Sequence, residues 1–505
     1  MIDHGRIVCD SMRSKVMSAE EAAELIKPGA TIGASGFTGS GYPKAVPVAL
    51  AERIKKENEA GGTFRVNLWS GASTGPELDG GLAEVNGIGF RMPYQSDPRL
   101  RDRINKGEAD YFDNHLSHAA PLTSSGALGQ LDVALIEVSA IHKDGKLVPS
   151  SSVGNNQSWL DQAQKVIIEV NSWQSVDLEG MHDIYRVARP PHTQIIPIMK
   201  ADDRVGEKYL TVDMNKVIAV VESEMPDRNA PFSAPDDAAL KIAANIIDFL
   251  SYEVKNGRMP KSLLPLQSGV GNVANAVLCG LGDSPFSDLT SYTEVIQDGM
   301  VDLLDSGKLL MASATAFSLS PDCAHKLNDN MKSYQKRMVL RPQDVSNSPE
   351  VIRRLGCIAM NSLIEVDIFG CVNSTHVMGS KIMNGIGGSG DFARSASLSF
   401  FMTPSTAKGG KISAIVPMCS HVDHGAQDVM IVVTEQGLAD LRGKSPKQKA
   451  EAIIQNCAHP DYRPQLMDYF KRAKETSTGL HAPCILDEAL SWHDNFVKTG
   501  TMLKG

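Results

Sequence analysis

Residues 134–147 read ALIEVSAIHKDGKL and residues 362–375 read SLIEVDIFGCVNST, two β-prone runs sharing Leu-Ile-Glu-Val. Each is followed by a glycine-containing loop, VGNNQSWLDQA from 153 and IGGSGDFARSA from 386. Earlier in each half, GASGFTGSGYPKAVPVAL from 33 resembles SGVGNVANAVLCGL from 268, and FRVNLWSGAS from 64 stands where DLTSYTEVIQ from 288 stands. Similarity kept in the same order along a chain is the mark of a duplicated domain. The reading is therefore two tandem related open α/β domains, 1–228 and 229–505, joined in ESEMPDRNAPFSAPDDA, residues 222–238. Short Val/Ile runs bounded by Gly and Pro (TIGASGF, DVALIEVSAI, KVIIEVN, KVIAVVES, DVMIVVTEQG) alternate with helical patterns such as DDAALKIAANIIDFLSYEVKNG. That alternation predicts largely parallel sheets and excludes a purely helical chain.

Composition narrows the class. A chain of 505 residues exceeds one hydrophobic core, and 42% hydrophobic with 22% charged residues is ordinary for a globular protein. The net charge of −9 is mild and spread out, which argues against nucleic acid as a partner. The eight cysteines form no C-x-x-C pair, so neither a disulfide framework nor a zinc site is expected. Cys279 and Cys371 read as small buried hydrophobes rather than nucleophiles. The N-terminus lacks a signal-peptide core and no run of ~18 apolar residues occurs, so the expectation is a cytoplasmic protein without a membrane partner.

One residue resists a structural explanation. In SYTEVIQDG, residues 291–299, Glu294 stands where the first half has Gly71, so the shared scaffold does not require it. A carboxylate just past a parallel strand faces the crevice where α/β proteins hold ligands. The plain alternative is a Glu serving a helix N-terminus, worth at most ~1 kcal/mol.

Two glycine-rich loops accompany it. SGVGNVANAV, residues 268–277, fits G-x-G-x-x-A with Gly269, Gly271 and Ala274, and Asp288 lies near the distance of a ribose-binding acid. A nicotinamide dehydrogenase is thus a rival, weakened by the lack of a long apolar strand before the loop. Backbone N–H groups in such a loop also bind other anions, a developing oxyanion included. NGIGGSGDF, residues 384–392, has the glycine density of a backbone that approaches a ligand closely, or of a plain turn.

SGVGNVANAV, SYTEVIQDGMVDLLDSGK, IGGSGDFARSA and VDHGAQDVMIVVTEQGLADLRGKSP together resemble the acetyl-CoA hydrolase/transferase family of class I CoA-transferases over nearly the whole chain. The resemblance implies an active site between two α/β domains, a glutamate at Glu294 that carries acyl and CoA groups in turn, and a homodimer. It implies CoA contacts at Ser268, Gly269, Val270, Gly271, Asn272, Ile364, Gly388 and Lys408. CoA is then a substrate and no cofactor is expected; acetate and succinate as carboxylates come from the resemblance alone.

The chemistry agrees. Exchange of CoA between carboxylic acids needs an enzyme group of the same kind, which a Glu side chain supplies. Each addition puts charge on a carbonyl oxygen, so two N–H donors are needed, and the Val270 and Gly388 N–H groups are assigned to them, in either order. TAKGGKIS, residues 406–413, offers Lys408 and Lys411 to phosphate, or is simply a solvated turn. Arg228 is the candidate counter-charge for the small carboxylate, Asn347 a neutral donor, and Glu435 a group that positions one of them. His421, Asp423 and His424 in HVDH lack a distant third ligand, so no metal is expected. A CoA-transferase with a glutamyl intermediate is the reading; an acyl-CoA hydrolase on the same scaffold and a non-catalytic ligand-sensing protein are its rivals.

Overall fold

The computed structural model describes residues 5–231 and 233–503. The first-half strands are β1 (Thr31–Ala34), β2 (Val66–Trp69), β3 (Ile88–Met92), β4 (Asp110–Tyr111), β5 (Val133–Ile141), β6 (Leu147–Pro149), β7 (Lys165–Asn171) and β8 (Val217–Ser223). They form a sheet of order β4-β3-β2-β1-β5-β7-β8, parallel along this path, with β6 antiparallel on β5. DVALIEVSAI becomes β5, an interior strand between β1 and β7, because an unbroken apolar run suits a parallel strand covered on both faces.

The second half supplies β9 (Leu266–Ser268), β10 (Leu289–Tyr292), β11 (Val295–Gln297), β12 (Leu309–Ala314), β13 (Ala316–Ser318), β14 (Met338–Leu340) and β15 (Ile358–Ser362). Short pairs follow: β16 (Glu365–Asp367), β17 (Val372–Asn373), β18 (His376–Val377) and β19 (Lys381–Ile382). Then come β20 (Leu398–Met402), β21 (Thr406–Ala407), β22 (Ile412–Ser413), β23 (Ile415–Val416), β24 (Ile431–Thr434) and β25 (Gly437–Asp440). The large sheet here runs β14-β12-β10-β9-β15-β20-β24-β25. Leaving out β6 and the short pairs, each sheet starts at its centre, adds three strands to one side and then fills the other. The same winding order in both halves is what the repeated LIEV segments predict.

Contacts divide the chain into two compact units. The first joins the N-terminal segment to Ser291–Val301 and Leu310–Leu355; the second comprises Ser233–Thr290, Asp302–Leu309 and the chain from Gly356 onward. The break at Ser233 lies in the stretch read as a linker, whereas Glu294 packs with the N-terminal unit although it lies in the second half of the sequence. The cause is a backbone seam within that unit. Val153 N–H donates to the Thr315 carbonyl (2.8 Å), Phe317 N–H to Ser151 (3.1 Å), and Gly154 N–H to the Thr315 hydroxyl (3.0 Å).

In the first unit the helix Ala45–Glu59 lays Val46, Leu50 and Ile54 on a core with Leu68 and Leu135. In the second, Val366, Phe401, Val432, Ile453 and Tyr462 share a core. Asp236 caps the Asp237–Lys255 helix through the Ala239 N–H (2.8 Å). No helix among the described residues is long and apolar enough to cross a membrane.

Candidate active site

Glu294 lies in the two-residue link between β10 and β11, and the next helix, Asp298–Asp305, begins only after β11. The helix-terminus alternative therefore does not describe it. Its carbonyl accepts from the Thr315 N–H (2.9 Å) and the Ala316 N–H (3.3 Å), which pins the link to the β12–β13 turn. Its side chain, partly exposed, accepts at Oε1 from Asn347 Nδ2 (3.2 Å). Asn347 is fully buried, and its own Oδ1 accepts from the Ser346 hydroxyl (2.9 Å), so the amide is oriented with its NH2 toward Glu294. Asn347, expected as a neutral donor to the substrate carboxylate, donates here to the enzyme's own carboxylate.

Two supports for this pair were not foreseen. Asn347 N–H donates to the Gln343 carbonyl (2.9 Å), while Gln343 Nε2 donates to the Leu116 carbonyl (2.9 Å). Gly71, the counterpart of Glu294 in the first half, packs against Gln343; a Cβ there would come within 2.6 Å of the Gly36 carbonyl and 3.2 Å of Gln343 Oε1. The position that carries a carboxylate in one half is obliged to be bare in the other.

Arg228 belongs to the same unit. Its Nε lies 2.9 Å from Glu77 Oε1, and its N–H donates to the Gly39 carbonyl (2.8 Å). The preceding residue anchors it in a buried ionic cluster. Lys44 Nζ contacts Glu137 Oε2 (2.6 Å) and Asp227 Oδ1 (3.1 Å); Gln174 Nε2 donates to both carboxylates, Asn171 Nδ2 to Glu137, and the Ser151 hydroxyl to Asp227. Burial, with Asp227 and Glu169 adding their charge, pushes the Glu137 carboxyl up to about 7 despite Lys44, whose ammonium these acids hold charged. Glu169 is occupied separately, accepting from the N–H groups of Lys44, Ala45 and Val46 at the start of the Ala45–Glu59 helix.

In the second unit Ser268 ends β9, and the Gly269 N–H pairs with the Met360 carbonyl of β15 (2.9 Å). The loop thus leaves the sheet beside the strand pair where the winding order turns, the usual place for a ligand crevice. Val270 is exposed, Gly271 adopts φ +126°, and the Asn272–Asp283 helix begins there without a side-chain cap. Uncapped N–H groups at such a terminus favour an anion. Asn272 Nδ2 is held by Asp236 (3.1 Å).

Asp288 stands just before β10, at the amino end of the strand, whereas a ribose-binding acid stands past the carboxyl end. With β9 only three residues long, the dinucleotide reading has no structural support.

Gly388 is buried at the start of the Ser389–Ser395 helix, also without a side-chain cap, and Gly387 before it takes φ +58°. Ile364 lies between β15 and β16 with its N–H on the Asn373 carbonyl (2.9 Å). Lys408 sits at the exposed tip of the β21–β22 hairpin at φ +49°, beside Gly409 and Gly410, with Nζ 5.2 Å from the Phe496 ring centre. Glu435 follows β24 and accepts from the Ser405 N–H (2.7 Å) and hydroxyl; burial opposes its charge, but these donors hold the carboxyl below its usual range.

The HVDH residues have other partners: Asp423 accepts from the Ser374 N–H (2.7 Å) and the Thr375 hydroxyl (2.9 Å), and His424 lies on Phe401 with Nε2 3.1 Å from the Ser389 hydroxyl. Cys279 is exposed on its helix, not buried, because position 279 faces away from the sheet while Val277 and Leu278 fill the core side. Burial and the nearby Asp302 and Asp283 raise its thiol; burial and Asp367 push Cys371 up to about 11, so both remain weak nucleophiles.

The described residues hold a carboxylate fixed by a buried amide, uncapped N–H termini after glycine turns and two wound α/β sheets, and a carboxylate nucleophile with N–H donors is the kind of group that acyl transfer uses. The acetyl-CoA hydrolase/transferase N-terminal domain matches residues 9–222, and its C-terminal domain matches residues 324–470. The chain is 49% identical to a succinyl-CoA:acetate CoA-transferase of Clostridium kluyveri, over 97% of this chain and 90% of that one. It is 44% identical to an acetyl-CoA hydrolase of Schizosaccharomyces pombe, over 97% and 98%. Among solved structures, RipA from Yersinia pestis superposes with a TM-score of 0.70 at 24% identity, covering 92% and 98%, a likeness of fold. The chain belongs to the acetyl-CoA hydrolase/transferase family.

Proposed function

We propose that this enzyme moves CoA between succinyl-CoA and acetate through a glutamyl-CoA thioester on Glu294. The observation that carries the reading is the Asn347–Glu294 hydrogen bond, which aims a partly exposed carboxylate without neutralising it. A Glu294 oxygen attacks the acyl carbonyl; the C–S bond breaks and CoA leaves as thiolate, giving an acyl-glutamyl anhydride. The thiolate attacks the glutamyl carbonyl, the anhydride C–O bond breaks, and free carboxylate leaves behind a glutamyl thioester. The acceptor carboxylate runs the steps in reverse. The Val270 and Gly388 N–H groups meet the oxyanions, Lys408 and the 268–272 loop hold CoA, Arg228 meets the small carboxylate, and Glu435 keeps the Ser405 turn in place. CoA passes from one acyl group to the other as part of the substrates, and no separate cofactor takes part. The reading includes a cytoplasmic homodimer and two duplicated halves, 1–228 and 229–505; the matching strand orders support the duplication.

Acetyl-CoA hydrolysis is the second reading, favoured by the similarity to the fungal hydrolase. Thiol release measured beside CoA exchange separates the two. In the transferase, exchange far exceeds thiol release and initial rates form parallel lines in both substrates. Incubation with acyl-CoA alone followed by hydroxylamine places one hydroxamate on the peptide containing Glu294. A label elsewhere, or Glu294→Ala with full exchange, refutes the mechanism.

A further inference from the structure

Arg228 is held by a glutamate, itself held by a tyrosine, and the proposed reaction leaves both without a task. Glu77 places Oε1 2.9 Å from Arg228 Nε and is itself nine-tenths buried, while Arg228 is half exposed. Its other oxygen accepts from the Tyr42 hydroxyl at 2.5 Å. Burial and then Glu77 drive the Tyr42 phenol far above its ordinary range, so it stays a donor. Tyr42 is wholly buried and closes on Gly75, where a Cβ would meet its hydroxyl at 2.1 Å.

Glu77 sits in a five-residue π-helical turn, Pro76–Gly80, a rare geometry that recurs at functional sites. The turn is locked by its neighbour Asp79, which pairs with buried Arg91 (2.9 Å) and accepts from the Thr74 N–H (2.8 Å). Tyr42 also joins this arm to the ionic cluster, since its carbonyl accepts from Lys44 Nζ (2.8 Å).

A planar guanidinium has two edges for carboxylates. Glu77 approaches at Nε, and among the described residues Arg228 Nη1 and Nη2 donate no hydrogen bond. We propose that Glu77 and Tyr42 are positioning residues that fix the Arg228 guanidinium by its inner edge and present its Nη edge to the small carboxylate substrate. This rests on the reading of Arg228 as the carboxylate's counter-charge. A resident acid that merely quenched Arg228 would compete with substrate; one that grips Nε orients the fork and lowers the entropy lost on binding.

The test is steady-state CoA exchange with acetate varied at saturating succinyl-CoA, for Tyr42→Phe, Glu77→Gln and Arg228→Ala and for each of the first two combined with the third. Tyr42→Phe keeps ring and packing, so it carries the test if Glu77→Gln folds poorly. The expected result is an acetate KM raised about tenfold by Tyr42→Phe and by Glu77→Gln, with kcat within about twofold, as for loss of a hydrogen bond to a charged group, and raised at least as much by Arg228→Ala. In the Arg228→Ala background the first two substitutions should add nothing, a coupling that general loosening of the fold would not produce. If Arg228→Ala raises the acetate KM while Tyr42→Phe and Glu77→Gln behave as wild type, the positioning role is refuted and the carboxylate reading stands. A lower acetate KM in Glu77→Gln overturns the proposal in favour of competition. If Arg228→Ala itself leaves the acetate KM unchanged, the carboxylate reading falls and the inference with it.

Discussion

Replacing Glu137 by Gln should remove the fall of stability with rising pH that this group imposes. In the folded chain, burial lifts this carboxyl from its usual 4.5 to about 7. Between those values the folded protein holds a proton that the unfolded chain has released, so this group's contribution is fully present below about pH 4.5 and falls as pH rises to about 7. At about 1.4 kcal/mol for each unit, the loss across the window is ~3 kcal/mol. Glutamine has nothing to release. It keeps an acceptor for Lys44 and Asn171, and Lys44 retains Asp227 at 3.1 Å, so the variant should resemble the protonated wild type. Urea unfolding of both proteins at intervals from about pH 5 to about pH 8 gives the difference curve, in which other titrations cancel. The variant should gain on wild type steadily as pH rises, by up to ~3 kcal/mol. A flat difference, or a variant that loses ground with rising pH, would refute the reasoning, for it would mean that Lys44 outweighs burial and keeps Glu137 ionised throughout.

Two further outcomes follow from distances. Asn347→Ala frees the Glu294 carboxylate from its orienting donor and should lower kcat by about 10²-fold, as expected when a reacting group drifts by ~1 Å, with acyl-CoA binding retained; unchanged single-turnover thioester formation would count against that role. Gly39→Ala would bring a Cβ to 2.2 Å from the Arg228 carbonyl, so thermal unfolding should show destabilisation of about 1–3 kcal/mol.

What could be read from the chain beforehand was local. The Val/Ile runs gave β1, β5, β7, β8 and β24 because a buried parallel strand writes its environment into consecutive residues. The duplication was visible because one LIEV segment lies within β5 and the other just past β15, strands that hold the same place in the two winding orders, and Glu294 stood out because its counterpart is Gly71. Partners far along the chain left no such trace. Nothing near residue 347 marks an amide that will meet residue 294, and no spacing rule links Tyr42, Glu77 and Arg228. Lysine and aspartate are surface residues by type, yet Lys44 is fully buried and Asp227 nearly so, because each is the other's condition for leaving water. The contact division was hidden for the same reason: the seam between 151–154 and 315–317 is made of backbone, which sequence pattern does not encode.

The repeated LIEV segments also carry a buried acid into each half, and the two are compensated differently. Glu137 faces a lysine fixed early in the chain, whereas Glu365 rests on His493 (2.7 Å), in the Ser491–Thr499 helix close to the end of the chain. Burial opposes the charge of Glu365, but His493, Asn373 and Ser420 win and hold its carboxyl below the usual range. Removing the Ser491–Thr499 helix would take His493 from this acid and leave it the Asn373 amide and the Ser420 N–H and hydroxyl as donors, so the charge of the second acid depends on a helix more than a hundred residues away in sequence.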